Sequence, residues 1–181
     1  MFHLLNALRR KEAPVSANEV EPLKFRVRWM IRRDMPEVLE IEQAAFPISF
    51  RWSEDDFMHV LRRRTAIGMV AEECASERVA GFFIYESHAA AIELLTIAVG
   101  TEWRRCGAGR LMVERLKSKT TARRRSIRFD VNERNLAALK FFSALGFRAI
   151  ATRRGVYDDC DDDAIAFRLT RDEMRFREYH Q

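Results

Sequence analysis

Hydrophobic and polar positions change rhythm several times along this chain of 181 residues. Phe25, Val27 and Trp29 alternate with Arg26 and Arg28, the period of a half-buried strand. From Asp34-Met35-Pro36 the spacing widens to three and four through Val38, Leu39, Ile41, Glu42 and Ala45, which predicts a helix with Asp34 as its N-cap. Ser53-Glu54-Asp55-Asp56 opens a second helix carrying Phe57, Val60 and Leu61. From Ile67 the runs GMVAEE, VAGFFIYE and AIELLTIAV are short, β-rich and separated by polar turns, predicting three sequential antiparallel strands.

Ala108, Leu111, Met112 and Leu116 then share a helical face, and Ile127, Phe129 and Val131 alternate as a strand. Asn135 is placed to cap a further helix whose Ala138, Phe141, Phe142 and Leu145 face the core, with Gly146-Phe147 as its stop. Two strands over 147–151 and 164–169 close the series. The expectation is an α/β fold, β-α-α-β-β-β-α-β-α-β-β, with a mixed, mostly antiparallel sheet and helices on both faces. The polar stretch from Pro14 to Pro22 reads as a linker, so residues 23–181 are expected to form a single domain. Residues 1–22 are left as an extension, either a small amphipathic helix or a frayed segment.

Charge alters this picture little. Lys and Arg number 32 against 27 Asp and Glu, a net charge of +5 that favours polyanions without demanding nucleic acid. The basic runs Arg62 to Arg64 and Arg123 to Arg125 lie in no helix-turn-helix or stacked-aromatic pattern, so nucleic-acid binding is not expected. Three scattered cysteines, Cys74, Cys106 and Cys160, argue against a disulfide framework or a structural zinc site, and no metal is expected. A reducing cytoplasm fits that usage. The apolar stretch in MFHLLNALRRKEA is too short for a membrane span and the wrong way round for a secretory signal.

The chemistry begins at RRCGAGR, residues 104–110, between an apolar strand and a helix starting near Ala108. The first amides of a helix lack intrahelical acceptors and converge on one spot that prefers an anion. Gly107 and Gly109 would let the main chain approach a phosphate, while Arg104, Arg105 and Arg110 add positive charge. A glycine turn before a helix is also an ordinary structural feature. The stretch has no GKS or GKT ending and Met112 spoils GxGxxG, so nucleotide hydrolysis and dinucleotide binding recede.

Arg104-Arg105-Cys106-Gly107-Ala108-Gly109 resembles the R/Q-x-x-G-x-G/A signature of the GCN5-related N-acetyltransferases. IEQAAF, RWSEDDF, NLAALKFFSALGF, RRGVYDD and DAIAFRL come in the order seen in ribosomal-protein alanine N-acetyltransferases of the RimI type, over roughly residues 25 to 170. The resemblance implies acetyl-CoA as cosubstrate and direct acetyl transfer to a primary amine, with a protein N-terminus, such as that of a ribosomal protein, as acceptor. Ile97, Ala98 and Val99 would hold the pantetheine arm through their backbone, with Ile97 or Val99 offering an amide to the oxyanion. Arg105, Cys106, Gly107, Ala108, Gly109 and Arg110 would surround the diphosphate beside Arg104, and Asn135 would contact the coenzyme. Cys106 is read as a small loop residue, not a nucleophile.

Asp130 matches the family's carboxylate, usually Glu. One methylene shorter, it would act through a bridging water or need burial to strengthen it as a base. Glu93 is the reserve candidate. Phe142, counted among the coenzyme-contacting positions, stands where family members have the tyrosine that protonates the leaving thiolate. Tyr157 matches a second family tyrosine and would take that task or bind the acceptor backbone. The acidic run 158–163 is expected to draw in a cationic amine or basic protein. Two alternatives remain: a transferase for a small amine or protein lysine, and a non-catalytic acyl-CoA-binding module.

Overall fold

The computed structural model describes residues 24–156 and 162–178. Its elements run β1 (Phe25–Trp29), α1 (Met35–Ala45), α2 (Glu54–Leu61), β2 (Ala66–Glu73), β3 (Val79–Ser87), β4 (Ala91–Val99), α3 (Ala108–Lys117), β5 (Ser126–Asn132), α4 (Leu136–Ala144), β6 (Arg148–Arg153), β7 (Ala164–Thr170) and α5 (Arg171–Glu178). The order predicted from periodicity is reproduced, with one helix added. That helix, α5, has the composition RDEMRFRE and packs Met174 on the core; a run so rich in charge lacks the apolar stripe that periodicity detects. The extension 1–22 lies outside the described residues.

Seven strands form one sheet in the order β1-β2-β3-β4-β5-β7-β6. All neighbours are antiparallel except β4 and β5. On one face α3 and α4 bury Met112, Leu116, Phe142 and Leu145 against Phe83, Ile127, Phe129 and Phe167. On the other, α1 and α2 bury Val38, Ile41, Phe57 and Val60 against Val70, Phe82, Ile84 and Ala98. Burial of a large apolar side chain is worth about 1.5–3 kcal/mol, so these two cores dominate the stability. They cover β2 to β4 on both sides. Over β5, β7 and β6 the α1/α2 side of the sheet carries no helix among the described residues.

Helix ends obey the sequence signals except at one. Ser53 caps α2 by accepting from the Asp56 amide at 3.2 Å, and Asn135 caps α4 by accepting from the Ala138 amide at 3.0 Å. Gly146 takes a left-handed φ of 96° after α4, while the Phe147 amide returns to the Phe142 carbonyl. Asp34 stands at the N-cap position of α1, but its side chain bonds none of that helix's amides and instead accepts from both terminal nitrogens of Arg28, at 2.7 and 2.9 Å, and from the Ile31 amide. The side chain is diverted because the half-buried Arg28 guanidinium competes for the same carboxylate.

Arg28 also bonds Glu72, which Arg26 holds from its other oxygen. This chain of charges ties the edge strand β1 to β2 and to the start of α1. Asp34 and Glu72 are 3% and 2% exposed. Burial disfavours both carboxylates, but the arginine hydrogen bonds and charges outweigh it and hold both below their ordinary values of 3.8 and 4.5. The stability they contribute is therefore present at neutral pH and lost as pH falls through and below that range. Arg28→Met, which strands the buried Asp34 and leaves Glu72 to Arg26 alone, is expected to cost about 3–5 kcal/mol near pH 7. Urea denaturation should show that deficit shrinking as pH is lowered toward 4.5, where protonation neutralises the stranded carboxylate.

Candidate active site

The site is built on a fork in the sheet. β4 and β5 pair only through Ala91, Ile92 and Glu93 against Ser126, Ile127 and Arg128. Beyond that point the two strands part. Leu95 is an extra residue in β4, since Tyr85 opposes Leu94 while Ile84 opposes Thr96. Such a bulge bends a strand and re-aims the residues after it, and here it sits at the base of the parting. Leu94 to Val99 thus keep β3 on one side and have no strand on the other. Ile97, Ala98 and Val99 lie on this unpaired edge.

After β4 the chain tightens into a short 3-10 turn, Thr101–Trp103, then passes through Arg105 and Gly107 at φ 61° and 96° before entering α3. Two left-handed residues so close together curl the amides to one side. The N–H groups of Arg105, Gly107, Ala108, Gly109 and Arg110 have no acceptor among the described residues. Five free donors at a helix start, with Arg104, Arg105 and Arg110 exposed around them, suit a diphosphate. The glycines have different tasks. Nothing lies within 4 Å of a Cβ built on Gly107, so its demand is the positive φ, whereas one on Gly109 would meet the Phe141 ring at 3.3 Å and Val99 at 3.5 Å. Gly109 therefore serves close packing of α3 against α4 and β4. Arg104 turns back to the Val99 carbonyl at 3.5 Å, and Cys106 is an exposed free thiol.

On the other arm of the fork, Asp130 lies two residues past the last paired position, about 7 Å along β5. Its carboxylate accepts from Arg153 of β6 at 3.2 Å, a partner that no sequence spacing announced. Glu93 falls at the closed end instead, held by Arg128 at 3.1 Å and near His88 at 3.7 Å, about 13 Å along the strand from Ile97. Asn135 stands at the start of α4. Phe142 is 4% exposed and packs among Phe129, Phe141, Phe147 and Phe167, so its ring belongs to the aromatic core. Tyr157 lies outside the described residues, as do Asp158, Asp159, Cys160 and Asp161. The end of the acidic run is engaged: Asp162 accepts from Asn132 at 3.1 Å and pairs with Arg134 at 2.7 Å.

The segment between α1 and α2 borders the fork from the helix side, with Phe46 and Trp52 packed on the cluster that contains Ala98 and Leu95. Glu42, 1% exposed, accepts from the Trp52 amide at 2.9 Å and fixes where that segment returns to α2. Burial pushes its carboxyl above the ordinary range, against the opposing pull of the Trp52 hydrogen bond. Its place on the inward stripe of α1 was legible from helical spacing, whereas its bond to the Trp52 amide was not.

A parted parallel pair, a bulge at its base and free amides at the following helix are matched by sequence. Residues 26–147 fit the model of the acetyltransferase (GNAT) family. The chain belongs to this family. It is an acetyltransferase, and acetyl-CoA is its acyl donor. The alanine N-acetyltransferase of ribosomal protein bS18 from Salmonella typhimurium is 30% identical over 139 residues, 75% of this chain and 90% of that protein. The crystal structure of the ribosomal-protein-S18-alanine N-acetyltransferase from Escherichia coli superposes with a TM-score of 0.68 at 26% identity, over 81% of this chain and 93% of that one. NAA60 of Arabidopsis thaliana, solved with acetyl-CoA, shares the fold at a TM-score of 0.70 and 17% identity, over 81% and 98% of the two chains. Among the described residues no helix is long and apolar enough to cross a membrane, and no cluster of three or more His, Cys, Asp or Glu side chains is arranged to hold a metal.

If the free amides carry the coenzyme, forcing a side chain onto Gly107 should disturb the cradle without blocking it. A left-handed non-glycine residue costs about 1–2 kcal/mol. Gly107→Val is expected to weaken coenzyme A binding roughly tenfold or more by calorimetry, a loss equivalent to that strain. An unchanged affinity would separate the turn from coenzyme binding.

Proposed function

We propose that this enzyme acetylates the N-terminal α-amino group of a protein, such as a ribosomal protein. The observation that carries the reading is the placement of a single carboxylate, Asp130, on the arm of the fork opposite the thioester-holding strand. Its support from relatives is the 30% identity to enzymes that act on an N-terminal alanine of a ribosomal protein.

The nucleophile must be neutral when it attacks. An α-amino group with a pKa of about 7.7–8.0 is roughly a tenth neutral near pH 7, whereas a lysine at about 10.4 is neutral in fewer than about one copy in a thousand. A modest base therefore suffices for a chain terminus. Asp130, oriented by Arg153, takes the proton through a bridging water, because its short side chain keeps the carboxylate close to β5. An amide of Ile97 or Val99 on the unpaired edge of β4 meets the developing oxyanion. The diphosphate is gripped by the amides of Arg105 and of residues 107–110, with Asn135 beside it at the mouth of α4. Phe142 has no proton to give the departing thiolate. Tyr157 or water supplies it, and a thiol pKa near 8.5 makes the thiolate a tolerable leaving group.

Mass spectrometry of alanine-starting peptides incubated with acetyl-CoA tests the acceptor assignment. Acetylation is expected on the α-amine, with free polyamines and internal lysines untouched; the reverse pattern would move the enzyme to another acceptor class. Asp130→Asn is expected to lower kcat by about 10²–10⁴ while leaving coenzyme A affinity unchanged.

A further inference from the structure

The face of β5, β7 and β6 that no described helix covers carries a row of like charges. Arg128 of β5 stands opposite Arg168 of β7, and Arg168 opposite Arg148 of β6, so three arginines lie side by side across three strands. All three point away from the core, since Ile127, Phe129, Phe147, Phe167 and Leu169 take the alternate positions. Like charges directly opposed across strands are destabilising. The outer two are partly answered: Glu93 meets Arg128 at 3.1 Å and Glu173 meets Arg148 at 3.3 Å. Arg168, the central one, has no contact ion pair among the described residues and shares the field of Glu173 with Arg148. The side chains of Arg128 and Arg148 are 55% and 75% exposed, leaving their remaining donors to solvent.

The next row of the same face is Asp130, Ala166 and Ala151. The candidate base is therefore only two residues along β5 from the arginines, about 7 Å. An extended acceptor chain advances about 3.3 Å per residue, so a terminus reacting beside Asp130 brings roughly its third to fifth residues over the arginine row. We propose that Arg128, Arg148 and Arg168 form an acceptor subsite that selects peptides with Asp or Glu at those positions. Guanidinium forks bind carboxylates with two parallel hydrogen bonds, and three adjacent forks let an acidic side chain engage at more than one register. No aromatic side chain stands in the row to stack a base, which favours a polypeptide over a single-stranded nucleic acid.

This inference rests on the reading of the enzyme as a peptide N-terminal acetyltransferase, and two readouts keep them apart. Alanine-starting peptides with Glu, Gln or Lys at positions 3 to 5 are compared for kcat/KM with the wild type and with Arg168→Gln. The expected result is a preference for Glu over Gln of about three- to tenfold, greater over Lys, falling toward parity in Arg168→Gln and in high salt, as for exposed charge pairs. Coenzyme A affinity, measured in parallel, should be the same in both proteins. Equal rates for all three peptides, or an acidic preference that survives Arg168→Gln, overturns the subsite. Anisotropy of the labelled Glu and Gln peptides with coenzyme A present reads docking without turnover. Should no peptide be acetylated, the peptide-acetyltransferase reading fails, while Arg168-dependent binding of the Glu peptide would still uphold the arginine site and its absence would refute it.

Discussion

Loss of pairing between β4 and β5 beyond Glu93 and Arg128 is the constraint on which the whole site depends. Strands in a sheet normally satisfy each other's amides and carbonyls along their whole length. Here one edge of β4 is left with unpaired backbone over six residues, and a bulge at Leu95 sets where this begins. The seam is held open from both sides, by the α1/α2 core on one face and the aromatic cluster around Phe129 on the other. An extended ligand with amide groups of its own can then occupy the position of the missing strand. The same parting separates β4 from the arm that bears Asp130.

Charge is distributed around the fork by function as much as by stability. Cations gather at two places, the turn into α3, where amides are free, and the open face of β5, β7 and β6, where arginines oppose one another at a cost. The Arg26, Arg28, Asp34 and Glu72 network differs in kind, because every member is answered and it joins β1 to the helix layer. Buried and paired charge organises the scaffold; exposed and crowded charge faces the acceptor.

Much of the scaffold was legible because strand and helix periods are strong in VAGFFIYE, LMVERL and LAALKFF. The turn at RRCGAG was legible for a local reason, since glycine at a left-handed position and a helix start are short-range features. The features that stayed hidden depend on register. AIELLTIAV is apolar on both faces, so neither its extra residue nor its early parting from β5 disturbs any pattern. Arg153 reaches Asp130, and Arg128, Arg148 and Arg168 align, only because three strands pair in one particular way. Asp34 misled for the same reason: its partner Arg28 lies on a strand, beyond the reach of a capping rule. Phe142 was placed at the coenzyme by motif alignment, while its burial among four other aromatic rings is a property of the folded core.

The central claim is that free main-chain amides at the start of α3 and along the unpaired edge of β4 hold acetyl-CoA. Amide hydrogen exchange with and without coenzyme A, resolved to single residues, reads those groups directly. The account predicts that coenzyme A slows exchange at Arg105, Gly107, Ala108, Gly109 and Arg110 and on the open edge between Leu94 and Val99, with β1 and β6 unaffected. Slowing elsewhere on the molecule, with these amides exchanging as freely as before, would contradict it.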